Sequence, residues 1–129
     1  MSDLHRRDVV IELLKDRPKD LLVVSGLGSS CWDLANAGDV AENFYLWGAM
    51  GGAAMIGYGV ARAQPDRRVL VLTGDGDMLM GMGAFATIAN NPVQNLAIVV
   101  LDNGRFGETG GQPTHTSGPA DLAGIAKAA

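Results

Sequence analysis

Two apolar runs, each closing on a tight polar turn, constrain this chain more than any other feature. Val69 to Thr73 leads into Gly74-Asp75-Gly76-Asp77, and Leu96 to Leu101 leads into Asp102-Asn103-Gly104. Both runs have the length and the branched aliphatic content of strands. Between them, Leu79 to Asn90 is helix-like and stops at Asn90-Asn91-Pro92, because proline cannot continue a helix. A strand, a turn, a helix, a strand and a turn make one crossover unit of a parallel sheet, and a right-handed crossover sets both turns side by side at the carboxyl ends of neighbouring strands. The fold class that follows is α/β.

Paired turns of this composition make a place for a charged ligand. Gly74 and Gly76 permit backbone that other residues resist, so main-chain N–H groups can approach an anion at the start of the following helix. Phosphate is the natural guest. Asp75 would repel a bare phosphate, however, unless a cation lay between them. Mg²⁺ meets that need, since it takes oxygen ligands and is usually held by one or two side chains plus phosphate oxygens. Asn103, 28 positions after Asp75 (103 − 75), supplies a neutral oxygen from the second turn, and the main-chain carbonyl of Arg105 is the candidate third ligand.

Gly-Asp-Gly followed at this distance by an Asn that closes an apolar strand resembles the metal and diphosphate motif of thiamine-diphosphate enzymes. Upstream, Leu46-Trp47-Gly48-Ala49-Met50-Gly51 looks like the segment that contacts the aminopyrimidine ring in the decarboxylase branch of that family. The run from Leu101 through Asp102-Asn103-Gly104-Arg105-Phe106-Gly107-Glu108 to Gln112 is similar to the sulfopyruvate and phosphonopyruvate decarboxylases. The resemblance covers roughly residues 20 to 125.

That resemblance implies a three-layer α/β/α domain with a mainly parallel sheet, binding thiamine diphosphate and Mg²⁺. By the same resemblance the metal ligands are Asp75, Asn103 and Arg105, the last through its carbonyl. Cofactor contacts fall on Gly48, Ala49, Met50, Gly74, Asp75, Gly76, Asp77, Asn103, Arg105, Phe106 and Gly107. The Gly48 carbonyl would accept from the ring's amino group, and Met50 would hold the cofactor bent. Asp77 departs from the small residue expected after Gly-Asp-Gly, which leaves its main-chain N–H rather than its side chain for the diphosphate. The implied reaction is decarboxylation of a 2-oxo acid such as sulfopyruvate, with the cofactor as electron sink. An acetolactate-synthase-like carboligase and a cofactor-binding module without turnover are the alternatives.

Family members draw their activating glutamate from a separate pyrimidine-binding domain. Glu12, Glu42 and Glu108 do not suit that role, so the chain reads as the diphosphate-binding half of an enzyme. A pyrimidine-binding partner subunit carrying the glutamate is expected, in a hetero-oligomer with a dimeric core. His115, flanked by Thr114 and Thr116 in a glycine-rich stretch from Gly104 to Thr116 that could close as a lid, is a candidate for moving protons or binding an anionic substrate tail. Arg105 could instead pair with a sulfonate or phosphonate.

The rest of the sequence is compatible with one domain over residues 1–129. With 47% hydrophobic residues it can bury a core, and a net charge of −4 offers no basic face for nucleic acid. One cysteine, Cys31, excludes an internal disulfide, and the polar start does not read as a signal peptide, so the cytoplasm is the expected compartment. Residues 4 to 15 form an amphipathic helix with Val9, Val10, Leu13 and Leu14 on its apolar face. Leu21 to Ser25 is a short strand before Gly26-Leu27-Gly28-Ser29-Ser30, where Cys31 replaces the third glycine of a dinucleotide fingerprint and removes the nicotinamide reading. Ala35 to Glu42 reads as loop. Leu46 to Ala61 is uncharged but short and broken by five glycines, which favours a closely packed buried helix over a membrane span. Met78, Met80 and Met82 either fill the core or form an adaptable apolar wall at an interface. Leu122 to Ala129 begins a helix and ends earlier than the family's domain usually does, so the sheet is expected to lack a strand.

Overall fold

A computed structural model describes residues 4–129 of the chain. Four parallel strands make the central sheet: β1 (Leu22–Ser25), β2 (Asn43–Tyr45), β3 (Val69–Gly74) and β4 (Leu96–Leu101), in the order β2-β1-β3-β4. The expected crossover unit is present. β3 and β4 pair in register from Val69 opposite Leu96 to Gly74 opposite Leu101, which brings their two terminal turns together.

Alternating side chains give the sheet two apolar faces. Val23, Leu70 and Leu72 pack with Val10 of the first helix, α1 (Arg6–Leu13), with Leu14 just after it, and with Leu34 of α2 (Ser29–Ala37). Val24 and Val71 face the other way, onto Ala53 of α3 (Ala53–Ala63). The same side carries α4 (Asp75–Met80), α5 (Ala84–Asn90) and α6 (Leu122–Ala128), whose Met78, Ala84 and Leu122 close a further cluster with Ile98 and Val100. The result is the three-layer α/β/α architecture. In α3 the glycine at position 57 is required by packing: a Cβ there would lie 2.2 Å from Val71 Cγ2, so only glycine lets the helix sit this close to the sheet.

Several boundaries differ from the sequence reading. α1 stops at Leu13, which is exposed rather than part of the apolar face, and Asp16 turns the chain with a φ of 55° before Pro18. The helix read from Leu79 to Asn90 is two helices. They break around Gly81, where a Cβ would stand 2.0 Å from the Gly51 carbonyl oxygen, so a loop crosses where a continuous side-chain face would run. The Gly-Asp-Gly-Asp stretch is the end of β3 and the first turn of α4, with Asp75 and Asp77 where the helix dipole favours negative charge. Ser29–Ala37 is helix and Asn43–Tyr45 is an edge strand. The glycine-rich segment after β4 contains a short antiparallel ribbon, β5 (Arg105–Phe106) with β6 (Gln112–Pro113). No described helix is long and apolar enough to cross a membrane.

Candidate functional site

The strand order reverses direction between β1 and β3. β1 is followed by its neighbour β2 on one side, and the chain then passes back to β3 on the other. Open α/β sheets bind ligands in the crevice that such a reversal leaves at the carboxyl ends of the strands. Here that crevice is a cleft of about 210 Å³. Leu27, Ser29 and Ser30 line it from beyond β1, Gly74 to Asp77 from beyond β3, and Asn103 and Arg105 to Thr109 from beyond β4.

At its floor Asp75 is buried with both carboxylate oxygens engaged. Oδ1 accepts from the Asn103 N–H at 3.4 Å, and Oδ2 accepts from the hydroxyls of Thr114 and Thr116, the latter at 3.2 Å. The Asn103 side-chain oxygen accepts from the Arg105 N–H at 2.9 Å, an Asx turn that fixes the carboxamide at the end of β4. Neither Gly74 nor Gly76 takes a left-handed backbone. The demand at Gly76 is space, since a Cβ would lie 2.5 Å from the Phe106 ring and 3.4 Å from Met50 Cε.

Asp77 is also buried and lines the cleft, but its carboxylate is engaged within the protein. Its two oxygens accept from the Gly51 N–H and the Thr73 hydroxyl, and a Cβ on Gly26 would collide with Oδ2 at 2.1 Å. One carboxylate thus ties together the turns after β1 and β3 and the loop that carries Met50. Its side chain is spent on those two hydrogen bonds.

The other expected residues divide. Met50, Arg105, Phe106 and Gly107 line the cleft. Gly48 and Ala49 are exposed on the Met50 loop and do not line it, and His115 is exposed on a 3₁₀ turn outside it. The neighbours of His115, Thr114 and Thr116, are the ones that reach Asp75. Arg105 is exposed, with Nη1 on the Gly111 carbonyl at 3.1 Å. Cys31 is buried, its Sγ donating to the Gly26 carbonyl at 2.9 Å, and burial pushes its thiol pKa up, against a nucleophilic role. Met78 belongs to the core, as one of the two expectations had it, whereas Met80 and Met82 are exposed.

Three contributors have no marker in sequence: Arg6 and Glu108, which line the cleft, and Asp33, which holds Arg6. Thr114-x-Thr116 did carry a signal, as a pair of hydroxyls two positions apart and so able to share a target across one turn.

The donor set at the floor is made of hard oxygens, the Asp75 carboxylate and the Asn103 carboxamide. Among the described residues no group of three His, Cys, Asp or Glu side chains gathers as a metal centre. An ion held here would need oxygens from a bound anion to complete its shell, which is how Mg²⁺ sits beside phosphates. The residues fit a Mg²⁺–diphosphate pair.

Sheet order, crevice and donor set together define an α/β cofactor-binding domain of the diphosphate type. The chain belongs to the family described as thiamine pyrophosphate enzyme, C-terminal TPP binding domain, which it matches over residues 27–128. It is 45% identical over 116 residues to a phosphonopyruvate decarboxylase of Streptomyces viridochromogenes, covering 90% of this chain and 29% of that protein. It is 36% identical over 122 residues to the sulfopyruvate decarboxylase subunit beta of Methanocaldococcus jannaschii, covering 95% of this chain and 64% of the relative. The chain therefore spans between 29% and 64% of the length of these two curated relatives. A solved structure of 2-oxoglutarate:ferredoxin oxidoreductase from Magnetococcus marinus shares the fold, with a TM-score of 0.64 and 24% identity over 84% of this chain and 38% of that one.

Proposed function

We propose that residues 1–129 act as a single domain, the diphosphate- and Mg²⁺-binding part of a thiamine-diphosphate-dependent decarboxylase for 2-oxo acids of the sulfopyruvate and phosphonopyruvate kind. The observation that carries this reading is the convergence of the buried Asp75 carboxylate and Asn103 at the ends of adjacent parallel strands, in a cleft at the sheet's reversal point. Support for the substrate class comes from the names of the relatives.

In this reading Asp75, the Asn103 carboxamide and the Arg105 carbonyl hold Mg²⁺ against the diphosphate. Gly76 keeps the approach open, Phe106 walls it, and Met50 presents the bulky apolar surface on which the cofactor bends. Gly48 and Ala49 serve from the same loop, toward the ring. Bound thiamine diphosphate supplies the electron sink for carbon–carbon cleavage. The chain's own part is to grip the diphosphate and to exclude water from the reacting end.

Glu108 lines the cleft, but its carboxylate accepts from the Ser29 hydroxyl at 3.4 Å, which leaves the ring's activating glutamate to come from elsewhere. A pyrimidine-binding partner subunit would provide it. The exposed Met80, Met82, Met55 and Trp47, with Trp32 stacked edge-on against Trp47 at 5.4 Å, are the apolar surface such a partner would cover. Calorimetric titration of thiamine diphosphate into this chain, with and without Mg²⁺ and with and without the partner, tests the reading together with carbon dioxide release from sulfopyruvate and phosphonopyruvate. Binding that requires Mg²⁺ and tightens with the partner is expected. Binding without release from either substrate would remove the substrate class, and no binding in any state would remove the function.

A further inference from the structure

Arg6 reaches the cleft from α1, a helix whose spacing marks it only as an amphipathic surface element. Its Nε donates to Oδ2 of Asp33, a carboxylate with no exposed surface, and Arg7 Nε approaches the other oxygen at 3.3 Å. A fully buried carboxylate must be paired, so this contact is a fixed part of the fold and not a passing surface bridge. It uses one of the five guanidinium donors. Among the described residues nothing bonds to the terminal nitrogens of Arg6, whose side chain stays 46% exposed.

The other charged groups of the cleft are differently committed. Arg105 gives a terminal nitrogen to the Gly111 carbonyl. Glu108 turns its carboxylate to the Ser29 hydroxyl, and no ion pair joins it to Arg6. Arg7 shares the Asp33 anchor but does not line the cleft. Arg6 is thus a guanidinium anchored by Asp33 that lines the cleft with its terminal nitrogens unbonded among the described residues. Having its rotamer set by Asp33 lowers the entropy lost when those nitrogens bind.

We propose that Arg6, held by Asp33, is the specificity residue that reads the second anionic group of the substrate, a phosphonate or sulfonate borne by the 2-oxo acid. This rests on the decarboxylase reading above. A planar fork of donors matches a tetrahedral oxyanion through two parallel hydrogen bonds, which an ammonium does not reproduce. The cofactor's diphosphate presents the same chemistry, and the test separates the two sources.

Phosphonoacetate, which carries the phosphonate without the reacting carbonyl, is titrated calorimetrically into the full chain, alongside thiamine diphosphate with Mg²⁺. Arg6→Gln is expected to weaken phosphonoacetate at least about tenfold and Arg6→Lys less, as loss of a charge-assisted pair implies, with thiamine diphosphate affinity held within about twofold. In the partner-completed enzyme Arg6→Gln raises KM for phosphonopyruvate by a similar factor and kcat changes less. Wild-type protein that does not bind phosphonoacetate, or equal affinity in wild type and Arg6→Gln, overturns the proposal. Loss of thiamine diphosphate affinity in Arg6→Gln with phosphonoacetate unchanged also overturns it, by moving Arg6 to the diphosphate. Arg6-dependent phosphonoacetate binding without carbon dioxide release from the wild-type complex leaves the anion site standing and removes the decarboxylase reading instead.

Discussion

Two hollows in this molecule differ in a way that size alone would misjudge. The larger, about 820 Å³, runs beneath β4 between α5 and α6 and is walled by Phe85, Ile88, Leu96, Ile98, Val100 and Ala126, together with Asp102 and Asp121. The smaller, about 210 Å³, lies at the carboxyl ends of the strands, and its floor holds two buried carboxylates, Asp75 and Asp77. The carboxylates that border the larger hollow, Asp102 and Asp121, are exposed to water, whereas those of the smaller are buried. A buried carboxylate is costly unless partnered, so a fold that keeps two of them at one place is specifying something there. Chemistry follows the polar floor, and the larger hollow follows the thin cover over an edge strand, since β4 has a strand neighbour only in β3 among the described residues.

Substitutions can break that contrast. Asp75→Ala should abolish Mg²⁺-dependent thiamine diphosphate binding, the largest effect, read by calorimetry; unchanged affinity would place the metal elsewhere. Asp77→Ala should act on the joint and not on the ligand. It leaves the Gly51 N–H and Thr73 hydroxyl without acceptors, and unfolding in urea should show a loss of about 2 to 3 kcal/mol, with Asp77→Asn recovering part of it because its single amide oxygen can accept from one of the two donors. A cofactor affinity that fell in Asp77→Asn as far as in Asp75→Ala would mean that its charge, and not its hydrogen bonds, matters. Smallest is Ile98→Val in the larger hollow, which should cost about 0.5 to 1.5 kcal/mol in the same unfolding experiment and leave thiamine diphosphate affinity unaltered. A change in that affinity would show that the hollows are coupled.

The regions differ as well in how far they could be read from sequence. β3, β4 and the turns after them announce themselves: β3 is buried on both faces and so apolar throughout, the half-buried β4 is an unbroken aliphatic run, and the turns that follow are polar. Asp75 and Asn103 could be paired on that basis. The helix Ser29–Ala37 could not, since serine, asparagine and aspartate are poor helix formers, and it is packing of Leu34 on the sheet that holds it. β2 is three residues long and gains its identity from pairing with β1. The break at Gly81 depends on Gly51, thirty positions earlier (81 − 51), and the reach of Arg6 into the cleft depends on Asp33. Contacts of that kind arise only when the sheet brings distant segments together, and local periodicity carries no trace of them.

The parallel sheet also sets how the cleft comes into being. Val23 pairs with Asn43, Val69 with Leu96 and Leu22 with Val69, so no pairing in the sheet joins near neighbours, and the pair that frames the cleft, β1 with β3, closes the longest loop. Long loops cost chain entropy before contacts repay it, which slows folding and leaves no hairpin from which the sheet could zip. The ligand space is complete only with all three strand ends in place, since β3 and β4 alone lack the wall formed by Leu27, Ser29 and Ser30. Cofactor that binds the completed cleft should therefore slow unfolding more than it speeds folding.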